Sequence, residues 1–212
     1  MLFSEACERN KEPIAIELER WLPRPARVLE VGSGSGQHAV HVTRRLGQLQ
    51  WQPSERAENL EALQARLTLE GRTQLAAGSA LADAIGLDVS TDAWPAGPFD
   101  AVFTANTAHI MPASAVPQLV AGAAPVLSPG GLLLLYGPFS DGGRHSAPSN
   151  AAFDAHLRSI DGSMGVRDAD WIGELAQLAG LSALAEVAMP ANNRLLVYRA
   201  SGGAAHEWGL VR

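Results

Sequence analysis

Few folds accommodate the stretch Glu30-Val31-Gly32-Ser33-Gly34-Ser35-Gly36. It follows an apolar strand predicted over 27–31 and precedes a helix predicted over 37–46. Three glycines at alternate positions allow a sharp turn and a close approach by another group, because no Cβ stands in the way. The helix that follows offers unpaired N–H groups to the same space. A strand, a glycine loop and a helix in this order fit a layered α/β fold. Two readings stay open: a seat for a nucleotide-like ligand, or a tight turn that holds nothing.

The rest of the chain supplies the other strands. They are predicted over 49–52, 85–89, 99–105 and 132–136, with helices over 57–69, 114–127, 150–160 and 169–178. The segments 99–105 and 132–136 are apolar throughout, as strands buried on both faces should be. The last two strands, 183–189 and 195–199, are joined only through Pro190-Ala191-Asn192-Asn193, so they pair antiparallel, whereas the first five need crossovers and lie parallel. The expected fold is α/β, a mostly parallel doubly wound sheet with an antiparallel C-terminal hairpin strand. The segment 4–22 reads as helical in two pieces, because Pro13 suits a first turn and would break an interior one. Residues 71–84 are alanine-rich and give no assignable element.

At 212 residues one domain is expected, with 1–22 as a helical cap, 23–200 as the core and 201–212 as a tail. No apolar run reaches the roughly 18 residues of a membrane span. The N-terminus lacks the pattern of a signal peptide, and the single cysteine, Cys7, has no intrachain partner, so a cytoplasmic protein is expected. A net charge of -6 and scattered cations argue against a nucleic-acid partner. Among the sixteen cationic residues the only lysine is Lys11, a mild pointer to its own position. No Cys or His spacing suggests a metal. The oligomeric state is not legible.

The glycine spacing narrows the ligand. In the dinucleotide fingerprint G-x-G-x-x-G the pyrophosphate sits over the helix N-terminus. Here the third glycine comes one residue early, and Glu30 sits two before the first. That variant resembles the first motif of S-adenosylmethionine-dependent methyltransferases, in which the acid faces the cationic methionine end of a cofactor without a pyrophosphate. A carboxylate at Glu30 suits an ammonium or sulfonium and repels a phosphate. On this reading Gly32, Ser33, Gly34 and Gly36 cradle the cofactor. A ribose calls for an acid roughly 20 residues past the loop. Glu55 stands there, with Ser54 as the alternative hydroxyl contact and a solvated helix N-terminal acid as the competing reading. In this class the third strand presents an acid to the adenine amino group; Asp88 fits that place, with Val89 beside the ring, and fits a turn before Ser90-Thr91-Asp92 equally well. Asn106 ends the fourth strand, where ligands sit in open parallel sheets. The terminal hairpin also matches the seven-stranded sheet of Rossmann-like methyltransferases better than that of nicotinamide dehydrogenases, whose sixth strand arrives by another crossover.

Longer motifs point to one family. Glu8-Arg9-Asn10-Lys11-Glu12-Pro13-Ile14, Leu29 through His38, Trp51-Gln52-Pro53-Ser54 and Thr104 through Met111 carry the resemblance, together with Tyr136-Gly137-Pro138-Phe139, Ser149-Asn150, Phe153-Asp154, Gly165-Val166-Arg167-Asp168 and Met189 through Asn193. Across essentially its whole length the chain resembles the poorly characterised methyltransferase-like proteins grouped as a domain of unknown function. The resemblance implies the methyltransferase fold and S-adenosylmethionine as cofactor, and it supplies no acceptor. Glu55 stands where aspartate is expected, and it still reaches a ribose. Met164 stands where tryptophan is expected, which puts an aromatic contact there in doubt.

Methyl transfer from a sulfonium is an in-line displacement whose leaving group needs no acid, so holding the reactants in line matters most and a base matters only for an acceptor that must lose a proton. His109, just past the fourth strand, is the candidate base, with a capping or core-edge histidine as the alternative. Tyr136, at the end of the fifth strand, could orient an acceptor. His145 lies in a polar loop over 140–149, and Asn150 at its end, a loop that suits a substrate lid, or simple solvation. Asn10 and Lys11 could fold over the cofactor, or belong to a surface helix. The leading expectation is a methyltransferase acting on an unidentified small molecule, with a protein acceptor open. The alternatives are a non-catalytic S-adenosylmethionine-binding or scaffold protein on the same fold, and a nicotinamide-dependent oxidoreductase, which the loop and hairpin disfavour.

Overall fold

A computed structural model describes residues 3–202. The predicted tail over 201–212 therefore lies, from residue 203 onward, outside the described residues. The elements run α1 (Glu5–Trp21), β1 (Ala26–Val31), α2 (Gln37–Arg45), β2 (Leu49–Glu55), α3 (Ala57–Arg66), β3 (Ala80–Leu81), β4 (Ile85–Gly86) and β5 (Phe99–Ala105). They continue as α4 (Val116–Val126), β6 (Leu127–Gly137), β7 (Phe139–Asp141), β8 (Arg144–His145), α5 (Pro148–Ile160), β9 (Arg167–Asp168), α6 (Ala169–Leu178), β10 (Leu181–Met189) and β11 (Asn193–Ala200).

The main sheet has the order β10-β11-β6-β5-β1-β2-β3, with β4 also paired to β2. Every pair from β6 to β4 is parallel, and β11 is antiparallel to both β6 and β10. The expected hairpin is present, with its second strand inserted between the first and the body of the sheet. Counting β3 and β4 as two pieces of one strand gives the seven strands of the Rossmann-like methyltransferase arrangement. The order reverses between β1 and β5, which opens a crevice at their carboxyl ends, the place where open α/β sheets hold ligands.

Side-chain alternation explains why the central strands are apolar on both faces. Val28, Ala101, Phe103, Leu132, Leu134 and Val197 face α1, α2 and α3 in one core. Leu29, Val102, Leu133, Leu135, Leu196 and Tyr198 face α4 and α6 in the other. A period of two places successive residues in opposite layers, so neither face can be polar.

Three expectations change. The N-terminal helix is one piece, with Pro13 inside it. A proline there costs about 3 kcal/mol, offset by the burial of Ile14, Ala15, Leu18 and Leu22 in the first core. The third strand, expected over 85–89, pairs only at Ala80–Leu81 and Ile85–Gly86, so 71–84 contributes an edge piece. The helix expected over 57–69 ends at Arg66 and widens into a π-helical turn, Leu67–Gly71. The start of α1 rests on Ser4, whose Oγ accepts from the Cys7 N–H at 3.2 Å. Ser4→Ala should therefore lower stability by about 1 kcal/mol, read as a denaturant midpoint shift with an unchanged m-value.

Candidate active site

The glycine loop is stitched to the end of β2 by alternating bonds. The Ser33 N–H donates to the Ser54 carbonyl at 2.9 Å, and the Ser54 hydroxyl donates to the Glu30 carbonyl at 2.7 Å. The Gly34 N–H donates to Glu55 Oε2 at 2.7 Å, and the Arg56 N–H donates to Glu55 Oε1 at 2.9 Å. Gly32, Gly34 and Gly36 have φ of 71°, 54° and 74°, the left-handed region that L side chains rarely adopt. Their surroundings differ. A Cβ at Gly32 would stand 2.7 Å from the Thr107 side chain, and one at Gly36 would stand 2.8 Å from Leu63 Cδ1, whereas one at Gly34 would meet nothing within 4 Å. Gly34 is thus the bare face of the loop, with Glu55 immediately beneath it.

Glu30 lies under the loop rather than on it. Only 1% exposed, its Oε2 accepts from Ser33 Oγ at 2.8 Å and from Trp51 Nε1 at 2.9 Å. Burial pushes its carboxyl up to about 7, against the lowering effect of those two donors. Trp51, which sequence reasoning left unassigned, is the residue that makes this burial tolerable. Its only advance signal was its place in the motif preceding Ser54.

The other expected cofactor residues divide. Asn106 directly follows β5 with φ 57°, a strained setting that asparagine tolerates, and its N–H donates to the Tyr136 carbonyl at 2.9 Å. Asp88 is a turn residue just past β4: its Oδ1 accepts from the Ser90 N–H at 2.9 Å and its Oδ2 lies 3.4 Å from Arg56 Nε. Val89 packs at the edge of the second core. Ser54 is fully buried with its hydroxyl committed to Glu30, which removes it from the face of the cleft.

Asn10 and Lys11 point apart, as neighbours on a helix must. Asn10 is buried, its Oδ1 is 2.7 Å from His38 Nε2, and its side chain reaches the Tyr136 hydroxyl, which Asn193 also meets. Lys11 pairs instead with Glu8 and lines a cavity of about 570 Å³ between α1, α2 and the end of α3. That cavity lies beside the glycine loop, and neither Glu55 nor Asn106 lines it.

On the opposite side, His109 is 5% exposed, packs edge-on against Phe153 with ring centroids 5.2 Å apart, and lies 3.4 Å from where a Cβ on Gly137 would stand. Burial first, and then the Arg167 charge, push its imidazole down to about 4, so the ring is neutral at physiological pH. Tyr136 is buried at the end of β6, and burial raises its phenol above the ordinary value. His145 sits on the β7–β8 hairpin with Nε2 3.6 Å from Asp154 Oδ2. Asn150 is tied by Nδ2 to Ser146 Oγ at 3.0 Å and to the Asn192 carbonyl at 2.9 Å, so 140–149 is anchored at its end.

Among the described residues no helix is long and apolar enough to cross a membrane, and no cluster of three or more His, Cys, Asp or Glu side chains could hold a metal ion.

The sheet order, the reversed β11 and the glycine loop at the end of β1 define the Rossmann-like methyltransferase fold. A family model described as protein of unknown function (DUF938) matches residues 1–200, and the chain belongs to that family. Solved structures agree on the fold. An O-methyltransferase family protein from Burkholderia thailandensis superposes with a TM-score of 0.76 at 21% identity, over 94% of this chain and 59% of that one. Mitomycin 7-O-methyltransferase MmcR gives 0.75 at 17%, over 92% and 54%. Human N-acetylserotonin methyltransferase, solved in complex with SAM, gives 0.72 at 16%, over 93% and 53%. This chain thus spans between about half and three fifths of the length of these structural neighbours.

Proposed function

We propose that this protein is an S-adenosylmethionine-dependent methyltransferase that acts on a small molecule in the cytoplasm. The observation that carries the reading is the glycine loop itself: a left-handed backbone at three glycines, a bare face at Gly34, and a buried acid at the end of β2 bonded directly to that face. A loop that only had to turn would not need open space above Gly34.

The residues present fit the cofactor. Gly32, Ser33, Gly34 and Gly36 form the cradle, and Glu55 holds the loop while keeping oxygen lone pairs for ribose hydroxyls. Asp88 and Val89 stand at the adenine end, and Asn106 stands at the crevice between β5 and β1. Glu30 contributes negative potential from below, which suits a cation and opposes a pyrophosphate. When bound, the cofactor supplies a methyl carbon whose departure from sulfur needs no acid. The chain's own part is to align the acceptor, exclude water and take up a proton where the acceptor must lose one. His109, neutral and beside the crevice, is the proposed proton acceptor; Tyr136, His145 and Asn150 form the acceptor side, and Asn10, bonded to His38 from α1, belongs to the cofactor side. Neighbours named for methylating mitomycin and N-acetylserotonin support a small-molecule acceptor.

The test is transfer of labelled methyl from S-adenosylmethionine into a metabolite extract. Label should enter a small molecule, and His109→Ala should cut the rate about 100-fold, the usual scale for a positioned base. Label found only in protein would reject the small-molecule acceptor, and an undiminished rate in His109→Ala would remove His109 from its role.

A further inference from the structure

One family motif is left unused by the cofactor: Gly165-Val166-Arg167-Asp168, which is distant in sequence from the glycine loop. Arg167 is 6% exposed. Its Nε donates to the Ala108 carbonyl at 2.9 Å, and its Nη2 donates to the carbonyls of Met111 at 2.7 Å and Ser163 at 2.9 Å. The Gly165 N–H donates to the His109 carbonyl at 2.9 Å. The segment after β5 is thus held by its backbone oxygens at Ala108, His109 and Met111, all from one short stretch.

Among the described residues no carboxylate lies within ion-pair distance of Arg167, and its three side-chain hydrogen bonds end on neutral carbonyls. The acid whose field reaches it, Asp154, is already bonded to Arg158 Nε at 2.8 Å and to the Val166 N–H at 2.7 Å. Burying a cation without a paired anion is costly. Three carbonyls in fixed directions call for three N–H donors on one side chain, which the guanidinium supplies and a neutral amide, with two, does not.

We propose that Arg167 is a positioning residue for His109: its guanidinium, bonded to the Ala108 and Met111 carbonyls that bracket that residue, fixes the 108–111 backbone and brings its charge to the segment that carries the imidazole. This inference rests on His109 being the proton acceptor. The neighbours of His109 agree with it. From α5, Phe153 offers an uncharged ring edge, and the adjacent Asp154 is spent on Arg158 and His145; from β6, Gly137 brings no charge. Arg167 is therefore the charge that acts on the ring, which burial and that charge together hold down near about 4. The same charge repels a protonated amine and favours an acceptor that is neutral or anionic where it meets His109.

The test is the titration of the His109 ring by nuclear magnetic resonance in the wild type, Arg167→Gln and Arg167→Lys. Gln removes the charge, and its proton affinity at His109 should rise at least about tenfold. Lys keeps the charge with poorer geometry, so the midpoint should stay within about threefold of wild type while the Gly165 amide exchanges at least tenfold faster. A role in packing alone would move both variants alike. Equal shifts in the two, no shift in either, or a Gly165 amide as protected in Arg167→Lys as in wild type overturns the proposal. Should Arg167→Gln fail to fold, a wild-type midpoint at or above that of ordinary imidazole overturns it. The titration needs no cofactor, so failure of S-adenosylmethionine to bind would appear separately, in binding measurements on the wild type.

Discussion

Gly34→Ala is expected to leave the protein folded and to weaken S-adenosylmethionine binding at least tenfold. The backbone there has φ 54°, so a side chain costs roughly 1–2 kcal/mol for the left-handed conformation, and a Cβ meets no protein atom within 4 Å. The methyl group would fall on the bare face of the loop, where the proposed cofactor lies. Gly32→Ala and Gly36→Ala should instead lose stability further, through contact with Thr107 and Leu63 at 2.7 and 2.8 Å. Denaturation and calorimetry on the three variants separate the two effects. Unchanged affinity in Gly34→Ala would place the ligand elsewhere.

Glu30→Gln is expected to act in opposite directions on stability and on binding. The folded-state carboxyl is raised to about 7 from an ordinary value of 4.5, chiefly by burial. Between those values the native state holds a proton that the unfolded chain has lost, so this group's contribution to stability declines as pH rises, by up to about 1.4 kcal/mol per unit, and levels off above the folded value. Glutamine keeps an oxygen for Trp51 and Ser33 and never ionises. Its stability relative to wild type should therefore climb between pH 5 and pH 8. Binding runs the other way: a cationic ligand favours the ionised form, so wild-type affinity should rise with pH through about 7 and flatten beyond it, and the variant should show a weaker rise. A stability difference that is the same at pH 5 and pH 8 would show that Glu30 does not ionise in this range.

Much of the frame was legible before the structure. The apolar runs over 99–105 and 132–136 could only be strands buried on both sides, and the short link at 190–193 forced a hairpin. The glycine spacing was informative because each glycine occupies a left-handed backbone region that other residues adopt only at a cost. What escaped is instructive in physical terms. Pro13 reads as a break only when packing is ignored, and four buried apolar neighbours outweigh it. The edge strand was misjudged because its two short pieces pair only with β2, which leaves little apolar pattern to detect.

The site shows the same division. Glu30 and Glu55 could be found by spacing along the chain, yet of the two donors that govern Glu30 only Ser33 is local, and Trp51 is brought to it by the pairing of β1 with β2. Asn10 and Lys11 looked like one feature, and a single helical step sends them to different sides of α1. Arg167 was hidden for a further reason: its partners are backbone carbonyls, and a bond to a carbonyl leaves no trace in the identity of the partner residue.

Whether the loop at Gly32, Gly34 and Gly36 holds S-adenosylmethionine is decided by isothermal titration of the wild-type protein with S-adenosylmethionine, S-adenosylhomocysteine and NAD. Saturable binding of the first two, without binding of NAD, is the predicted result; binding of NAD alone, or of none of the three, would contradict it.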